Sequence, residues 1–446
     1  MNDVVWKTVQ FGDLAADTRN AIVGGPFGSN LVSGDYTDAG VPVIRGQNMG
    51  EGRWVSGPFA FVSEEKAESL RANLARPGDI VFTQRGTLGQ VALVPDAPWD
   101  RYVVSQSQMK ATVNPDLADP LFVYYYFTNP AEQHYIIANA IQTGVPHSNL
   151  GQLRAHPMRV PSLCEQRAIA DVLGALDDKI EQNRRTAQAL ERLARAIFRA
   201  WFVDFEPVKA KAAGATAFPS MPQPVFDTLP TRFVDSAIGA VPEGWEVGAI
   251  NGLATLSKTQ VNPQESPEEI VDHFSIPAFD AGLRPVVEAG STIKSNKFLV
   301  VEGCVLLSKL NPRIARVWLP PKPRGRKQIA STEFLVFVPI QTSDRHYLYC
   351  QFQQAVFRDE LAQGASGTSN SHQRVRPEDV LHRPLIVPPA PTREAFAGIA
   401  DALFALVTAN HDESAKLAEM RDYLLPKLLS GKVRVKHAER YLETTA

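Results

Sequence analysis

The sequence predicts a mixed α/β (α+β) protein in which two similar globular domains are separated by a long antiparallel two-helix coiled coil. Three observations predict this fold: a repeated octapeptide, a heptad pattern that follows each copy, and a collinear similarity between the segments upstream of the copies. At 446 residues the chain exceeds what one hydrophobic core usually supports, so more than one domain is expected. Together these observations indicate a pseudo-two-fold internal duplication.

The first copy of the repeat, IADVLGAL at residues 169–176, begins a heptad seam. The seam steps by four and three residues, and its larger side chains are Ile169, Leu173, Leu176, Ile180, Asn183, Leu190 and Ile197. Charged residues flank it on both sides, as a two-helix coiled coil requires. Ser162 and Glu165 stand three residues apart and form a capping box at the helix start. The pattern therefore predicts one unusually long helix.

The second copy, IADALFAL at residues 399–406, begins a weaker seam with the same spacing. Its members are Ile399, Leu403, Leu406, Asn410, Leu417, Met420 and Leu424. Glu413 interrupts this seam, and Pro426 should kink or end the helix because it lacks a backbone donor. One interpretation packs the two helices on separate cores. Because the copies are nearly identical, we favour pairing with each other, with Asn183 and Asn410 fixing the register.

The segments upstream of the two copies also correspond. Residues 76–95 and 301–320 each contain a glycine, an apolar strand, a polar tip and a second strand closed by proline. Each predicted globular domain as a whole mixes short strands with short helices, so we expect α+β domains with curved sheets. An Ala- and Pro-rich stretch between them predicts an irregular connector. The predicted organisation is a domain at 1–160, a helix at 161–205, a linker at 206–241, a domain at 242–390, a helix at 391–436 and a tail at 437–446.

Composition limits the class of protein. The formal net charge is −2, so a nucleic-acid interface would have to be local rather than spread over the whole surface. Three cysteines, Cys164, Cys304 and Cys350, lie too far apart for a redox or metal pair and indicate a reducing compartment. No apolar run reaches the length of a membrane span. We expect a cytoplasmic protein.

Positive charge is concentrated in residues 303–332. This stretch holds no acidic residue and carries Lys309, Arg313, Arg316, Lys322, Arg324, Arg326 and Lys327. We favour a loop that faces phosphates, because clustered Lys and Arg side chains attract the negatively charged backbone of a nucleic acid. The alternative is an ordinary solvated face.

Motifs for catalysis are missing from the sequence. There is no GxxxxGK[ST] phosphate loop, no HExxH, and no pair of cysteines with zinc-ligand spacing. The Asn-Pro pairs at Asn129 and Asn311 lack the second proline and the aromatic residue of an adenine-methyltransferase tetrapeptide. We therefore expect no catalytic centre and no metal site in this chain.

Three motifs resemble one protein family. The helix start PSLCEQRAIA, its exit WFVDFEPV and the opening VPEGWE of the second half are similar to those of the specificity subunits of type I restriction-modification systems. The resemblance covers essentially the whole chain. It implies that both domains are target-recognition domains, each of which reads one half of a split, asymmetric site in double-stranded DNA. It also implies that the paired helices hold the domains apart and dock partners.

The implied partners carry the chemistry. Two copies of a methyltransferase subunit would bind S-adenosylmethionine and methylate adenine N6, and restriction/translocase subunits would use ATP and Mg²⁺. The chain itself would bind no cofactor.

Candidate DNA contacts follow from turn chemistry and from the resemblance. In the first domain they are the loop residues Gly25, Pro26, Phe27, Ser29 and Asn30, the hairpin-tip residues Gln84, Arg85 and Thr87, and Gln106, Gln108, His147, Ser148 and Asn149. In the second domain they are Lys309, Asn311 and Arg313 at the equivalent tip, Lys322, Arg324, Arg326 and Lys327 for phosphates, and Ser369, Asn370, Ser371 and His372. Arg and Gln side chains suit purine edges in the major groove.

Several alternatives stay open at this point. The chain could be a specificity subunit of a related type II-like methyltransferase/nuclease or of another defence system. A self-contained DNA-modifying enzyme is a further alternative, and a structural coiled-coil adaptor that never binds DNA is another.

Overall fold

The computed structural model describes residues 6–50, 52–142, 144–365 and 373–435. Contacts divide the chain into two compact units, of which the first comprises residues 1–185 with 411–446 and the second comprises residues 186–410. No helix in the described ranges has the length and apolar character that a membrane span requires.

The segment that precedes the first long helix folds into short strands and helices. Its strands are β1 (Lys7–Gln10), β2 (Ile22–Gly24), β3 (Tyr36–Thr37), β4 (Val41–Ile44), β5 (Ala60–Val62), β6 (Leu74–Ala75), β7 (Ile80–Thr83), β8 (Val91–Leu93), β9 (Tyr102–Val104), β10 (Gln108–Ala111) and β11 (Pro157–Val160). Its α-helices are α1 (Glu64–Ser69), α2 (Pro120–Thr128), α3 (Pro130–Ala138) and α4 (Leu150–Arg154).

Two helices of 40 residues each dominate the rest of the chain. The first is α5 (Leu163–Phe202), and it is followed by α6 (Glu206–Ala212), α7 (Gln223–Thr228), α8 (Ile276–Asp280), α9 (Asp344–Phe352), α10 (Ala355–Gly364), α11 (Pro377–Leu381) and the second long helix, α12 (Ala390–Leu429). The strands are β12 (Phe233–Ser236), β13 (Gly239–Pro242), β14 (Glu246–Ala249), β15 (Ala254–Ser257), β16 (Gln260–Val261), β17 (Ile270–Phe274), β18 (Val286–Ala289), β19 (Lys297–Leu299), β20 (Val305–Ser308), β21 (Val317–Trp318), β22 (Lys327–Ala330), β23 (Phe334–Pro339) and β24 (Pro384–Val387).

Sheet topology confirms the predicted duplication. The first unit has sheets with the strand orders β1-β11, β2-β10-β7-β8 and β3-β5-β4-β9-β6. The second unit has β14-β24, β15-β23-β20-β21 and, read from the opposite edge, β18-β17-β22-β19-β16. Each five-stranded sheet contains one parallel pair, β4 with β9 and β17 with β22. The mixed α/β fold class predicted from the sequence is therefore confirmed.

In the first unit the N-terminal half of α5 packs antiparallel to the C-terminal half of α12. Arg421 Nη1 on α12 lies 2.7 Å from Asp177 Oδ1 on α5, and Asn183 contacts Glu413 farther along. Leu173 and Leu424 are buried in the same core, as the two predicted seams require. Burial of these apolar faces removes them from water, which is the main force that holds such a pair together.

In the second unit the remaining halves pair in the same way. Phe198 on α5 and Phe396 on α12 have ring centroids 5.7 Å apart, and Trp201 packs against the same ring at 6.2 Å. Ala187 and Ala194 continue the buried stripe of α5 in the predicted steps. The seam predicted for α5 therefore matches its buried face in both units.

At several positions the seam predicted for α12 lies one residue away from the face of the helix that is buried. Ala400 and Val407 are buried, whereas Leu406 is 52% exposed and Ile399 is only partly buried. Asn410 does not fix the register, because its side chain donates to the Leu406 carbonyl of its own helix. The large rings of Phe396 and Phe404 pack in the core and bring this face of α12 toward it. Phe396 lies outside the repeated octapeptide, so the similarity of the two copies does not predict this orientation.

The linker between the domains is not an irregular connector. Residues 206–241 contain α6, α7 and most of a hairpin formed by β12 and β13. Val208, Phe226 and Leu229 are buried in the core of the second unit. These three buried residues have no regular spacing along the sequence, so no helix or strand pattern indicated that they pack in a core.

Candidate DNA-reading surfaces and the helix pair

The GGPFGSN loop of the first unit is a braced structure. The Gly25 N–H donates to the Gln108 carbonyl at 2.9 Å, and a methyl group at Gly25 would lie 1.9 Å from the Ser105 carbonyl oxygen. Gln106 Nε2 donates to the Gly28 carbonyl at 2.7 Å. Only glycine allows the backbones to approach this closely. The brace presents Phe27 to solvent, and the residue is 85% exposed.

A hairpin tip lies beside this loop. The Gln84 N–H donates to the Ser107 carbonyl at 2.8 Å, and the Ser148 N–H donates to the Gln84 carbonyl at 2.9 Å. Arg85 pairs with His147 in an isolated antiparallel bridge, and its side chain is exposed. The loop, the tip and the segment at 147–148 therefore form one surface, which we call the first tip surface.

Some predicted contacts of the first unit serve the fold. Gln108 is buried and accepts a hydrogen bond from the Ser105 hydroxyl. Asn149 caps α4 by accepting from the Gln152 N–H at 2.8 Å, and Ser148 and Pro26 are buried. Ser29, Asn30 and Thr87 are exposed, so they remain available to a ligand.

The second unit repeats this backbone arrangement. The Lys309 N–H donates to the Glu333 carbonyl at 2.9 Å, and the Val375 N–H donates to the Lys309 carbonyl at 3.0 Å. Leu310 forms an isolated antiparallel bridge with Arg374. We call this the second tip surface. Ser369, Asn370, Ser371 and His372, which we predicted as contacts, lie outside the described residues.

The turn at each tip uses a left-handed residue at the same place. Gly86 has φ 103° in the first unit, and Asn311 has φ 50° in the second. Asn tolerates this region better than most side chains because its short amide can bond locally. The two tips thus share a backbone path and differ in their side chains.

Most of the basic run in the second unit is paired with carboxylates. Arg316 forms a two-bond ion pair with Asp280, Arg326 lies 2.6 Å from Asp272, Lys327 lies 2.5 Å from Glu269, and Lys322 lies 3.8 Å from Glu302. Arg324 is exposed and also interacts with another residue. This charge compensation could not be predicted from the basic run alone, because the carboxylates come from residues 269–302. Among the described residues, Lys309 and Arg313 have no carboxylate partner.

Comparison with known proteins finds similarity to one family. The sequence model described as the type I restriction modification DNA specificity domain matches residues 4–192. The chain is 23% identical over 433 residues to the type I restriction enzyme MjaIX specificity subunit of Methanocaldococcus jannaschii, covering 93% of this chain and 91% of that protein. It is 25% identical over 414 residues to the HindI specificity subunit of Haemophilus influenzae, covering 80% and 87%. The chain is therefore similar over most of its length to the specificity subunits of type I restriction-modification systems.

A solved structure has a similar fold. The S subunit of a type I restriction-modification system from M. genitalium aligns with a TM-score of 0.56 at 13% identity, covering 96% of this chain and 97% of that one.

Three residues on or near the tip surfaces were not among the contacts predicted from the sequence. Arg374 and Glu333 lie on the second tip surface, and Arg45 lies at the end of β4, where its guanidinium stands 6.0 Å from the Tyr36 ring centroid. Arg45 adjoins the first tip surface because the Ser105 N–H donates to the Ile44 carbonyl. For Arg45 the available signal was a cation directly after an apolar strand.

Several titratable groups of the chain are buried among the described residues. No group of three or more His, Cys, Asp or Glu side chains there is placed to hold a metal ion. Burial and the neighbouring Arg345 lower the pKa of His346 to about 3, so this histidine is neutral. Burial raises the pKa of the Cys304 thiol to about 12 and that of the Cys350 thiol above its ordinary value, which makes both thiols poor nucleophiles.

Proposed function

We propose that this chain is a specificity subunit of a type I restriction-modification system that reads a bipartite, asymmetric DNA site, with one half-site read by each unit. The observation that carries the proposal is the shared frame of the two tip surfaces. Gln84, Ser107 and His147 in the first unit occupy the backbone positions of Lys309, Glu333 and Arg374 in the second. Base edges in the major groove are distinguished by hydrogen-bonding side chains. Different side chains on one frame would therefore read different half-sites.

The two surfaces would engage DNA through few charges. Arg85 in the first unit and Lys309 with Arg313 in the second lack carboxylate partners among the described residues. Such cations attract phosphates and release counterions, whereas paired cations contribute less. Phosphate contacts would position each unit, and the polar side chains of the tips would supply sequence information.

The long helices would dock the catalytic partners. In the second unit Leu193 on α5 is 48% exposed and Leu406 on α12 is 52% exposed. Leu193 directly precedes the buried Ala194, and Leu406 directly precedes the buried Val407. In an antiparallel helix pair, positions that precede a buried residue lie on the same side of the pair. Exposed apolar side chains on such a flank suit a protein interface. We propose that two copies of a methyltransferase subunit bind through the helices.

Chemistry would reside in those partners. S-adenosylmethionine would bind to the methyltransferase subunits, and ATP and Mg²⁺ to restriction/translocase subunits. The specificity subunit would contribute recognition without a catalytic site, in a complex that acts in the cytoplasm.

Methylome sequencing tests the proposal. Cells that lack other adenine methylation would carry this chain together with its methyltransferase subunit. We expect methylated adenines in a motif of two unlike half-sites separated by a spacer of fixed length and unspecified sequence. A continuous motif, or methylation without sequence preference, would contradict the proposal.

Two further assays distinguish the alternatives. Purified chain with labelled S-adenosylmethionine and DNA should transfer no methyl group, and transfer without a partner would indicate a self-contained enzyme. DNA binding by the assembled complex should weaken when Arg85 and Lys309 are replaced by Gln. An affinity that does not change with these substitutions would favour a structural adaptor.

A further inference from the structure

We infer that Arg374, held in place by Glu333, reads a guanine in the half-site of the second unit. The inference rests on the proposed function and adds a specificity-determining residue to it. The equivalent positions of the first unit hold His147 and Ser107, so the first unit has no Arg–Glu ion pair there.

Arg374 is fixed at both its backbone and its side chain. Its backbone is bridged to Leu310, next to the hairpin tip. Its Nε lies 3.0 Å from Glu333 Oε2, and its Nη2 lies 3.0 Å from Glu333 Oε1. Glu333 is itself placed at the tip by its carbonyl, which accepts from the Lys309 N–H. The guanidinium is therefore oriented before any ligand arrives.

The contact with Glu333 leaves one edge of the guanidinium available. The carboxylate takes the edge formed by Nε and Nη2, and Nη1 makes no hydrogen bond to any described residue. The remaining edge, Nη1 with the second N–H of Nη2, presents two parallel donors. This is the pattern that pairs with guanine O6 and N7 in the major groove. About half of the Arg374 side chain is exposed, so that edge can reach a ligand.

Charge balance favours a base over a phosphate. The Glu333 carboxylate offsets the charge of Arg374, so the pair gains little from the general attraction of the DNA backbone. A guanidinium that is already held in one orientation loses less side-chain entropy on binding than a mobile one does, which favours a directional hydrogen-bonded contact. Since both partners are partly exposed, the ion pair by itself stabilises the fold only slightly.

The two half-sites would differ for this reason. The first unit has His147 in place of Arg374 and Ser107 in place of Glu333. It would therefore lack an arginine that is held in position to contact guanine. Arg374 and Glu333 would thus account for one defined difference between the halves of the recognition motif.

The experiment uses the assembled complex and the methylome assay described above. Arg374→Gln should make one guanine position of one half-site degenerate, with discrimination reduced about 5- to 150-fold, the range expected for a bidentate base contact. Arg374→Lys keeps the charge but loses the fork, so it should relax the same position. Glu333→Gln should relax that position to a smaller extent, as expected for a positioning residue. The other half-site should be read as before.

A charge-matched control separates base reading from phosphate binding. Arg313→Gln removes one cation from the same tip surface and should weaken binding to all sequences alike. If Arg374→Gln behaves like this control, Arg374 binds a phosphate and the inference is wrong. It is also wrong if the motif is unchanged, or if the half-site of the second unit contains no guanine on either strand. A wild-type complex with no bipartite motif would instead refute the proposed function.

Discussion

Asn183 Nδ2 donates a 2.7 Å hydrogen bond to Glu413 Oε2 between the two long helices of the first unit. The Asn183 side chain is buried, and Lys179 Nζ approaches the same carboxylate oxygen at 3.3 Å. Glu413 looked like a defect in the second seam, but it is the partner of the one polar residue in the first. The pair specifies which segments of the two helices meet, as polar seam residues do in coiled coils.

Replacement of Asn183 by Ala should loosen this part of the helix pair. We expect a loss of about 1–2 kcal/mol, because a buried amide that bonds a carboxylate is removed. Hydrogen exchange of residues 176–185 should become faster by the corresponding factor. The control is Gln182→Ala, an exposed neighbour on the same helix. Equal exchange in the two variants would show that the contact does not stabilise the pair.

Phe27→Ala should weaken DNA binding without destabilising the protein. The residue is 85% exposed, so removal of its side chain uncovers no core. Apolar side chains that bind DNA insert between base steps or pack on sugars, and we expect roughly a tenfold loss of affinity for the complex. Leu117→Ala, which removes another exposed apolar side chain of the same unit, is the control. Equal affinities for the Phe27 and Leu117 variants would exclude a DNA contact for Phe27.

His346 should make the second unit less stable in acid. Burial and Arg345 lower its pKa from 6.5 to about 3, so between these values the unfolded chain binds a proton that the folded chain does not. Stability contributed by the neutral ring is therefore lost as the pH falls below 6.5, by about 1.4 kcal/mol per pH unit at most.

The matched variant for this effect is His346→Phe. Phenylalanine keeps the stacking on Phe404, whose ring is 4.8 Å away, and removes the titrating group. Hydrogen exchange of α9 across the acidic range should show a shallower pH dependence of opening in this variant than in the wild type. Parallel profiles would mean that His346 does not contribute to the acid sensitivity.

Charge removal at the second tip should affect DNA binding more than charge removal in the paired part of the basic run. Replacing Lys309 and Arg313 by Gln should reduce the slope of log affinity against log salt by about 2, because each phosphate contact contributes about 0.9. Replacing Arg326 and Lys327 by Gln removes the same charge, but these cations already pair with Asp272 and Glu269. We expect this second variant to change the slope by less than half as much, measured by fluorescence anisotropy of the complex. Equal changes would restore the phosphate role predicted for the whole run.

Local patterns predicted much of the architecture. The four-three spacing from Ile169 predicted a long helix, and α5 extends over Leu163–Phe202 with that stripe buried. The similarity of residues 76–95 to 301–320 predicted equivalent hairpins, and β7 with β8 corresponds to β20 with β21. These features depend on neighbours a few residues apart, so the sequence alone contains the relevant information.

The candidate site was predicted only in part. The prediction named Gln84, Arg85, Lys309 and Arg313 because they stand at recognisable turns between apolar strands, and whether they contact DNA stays a prediction. Arg374 was missed because its place beside Leu310 depends on a bridge between residues 64 positions apart in the sequence. Gln108 was predicted as a DNA contact, but its side chain is buried and accepts a hydrogen bond from the Ser105 hydroxyl, which its polarity alone does not show.

By itself the sequence determined the duplication, the two long helices and the paired hairpins, because each is encoded by a period or a repeat along the chain. Only the tertiary structure decided which face of α12 is buried, which cations of residues 303–332 are neutralised and which residues complete each tip. Those outcomes depend on side chains that approach from distant parts of the chain. Packing and charge pairing between such residues leave no regular spacing in the sequence.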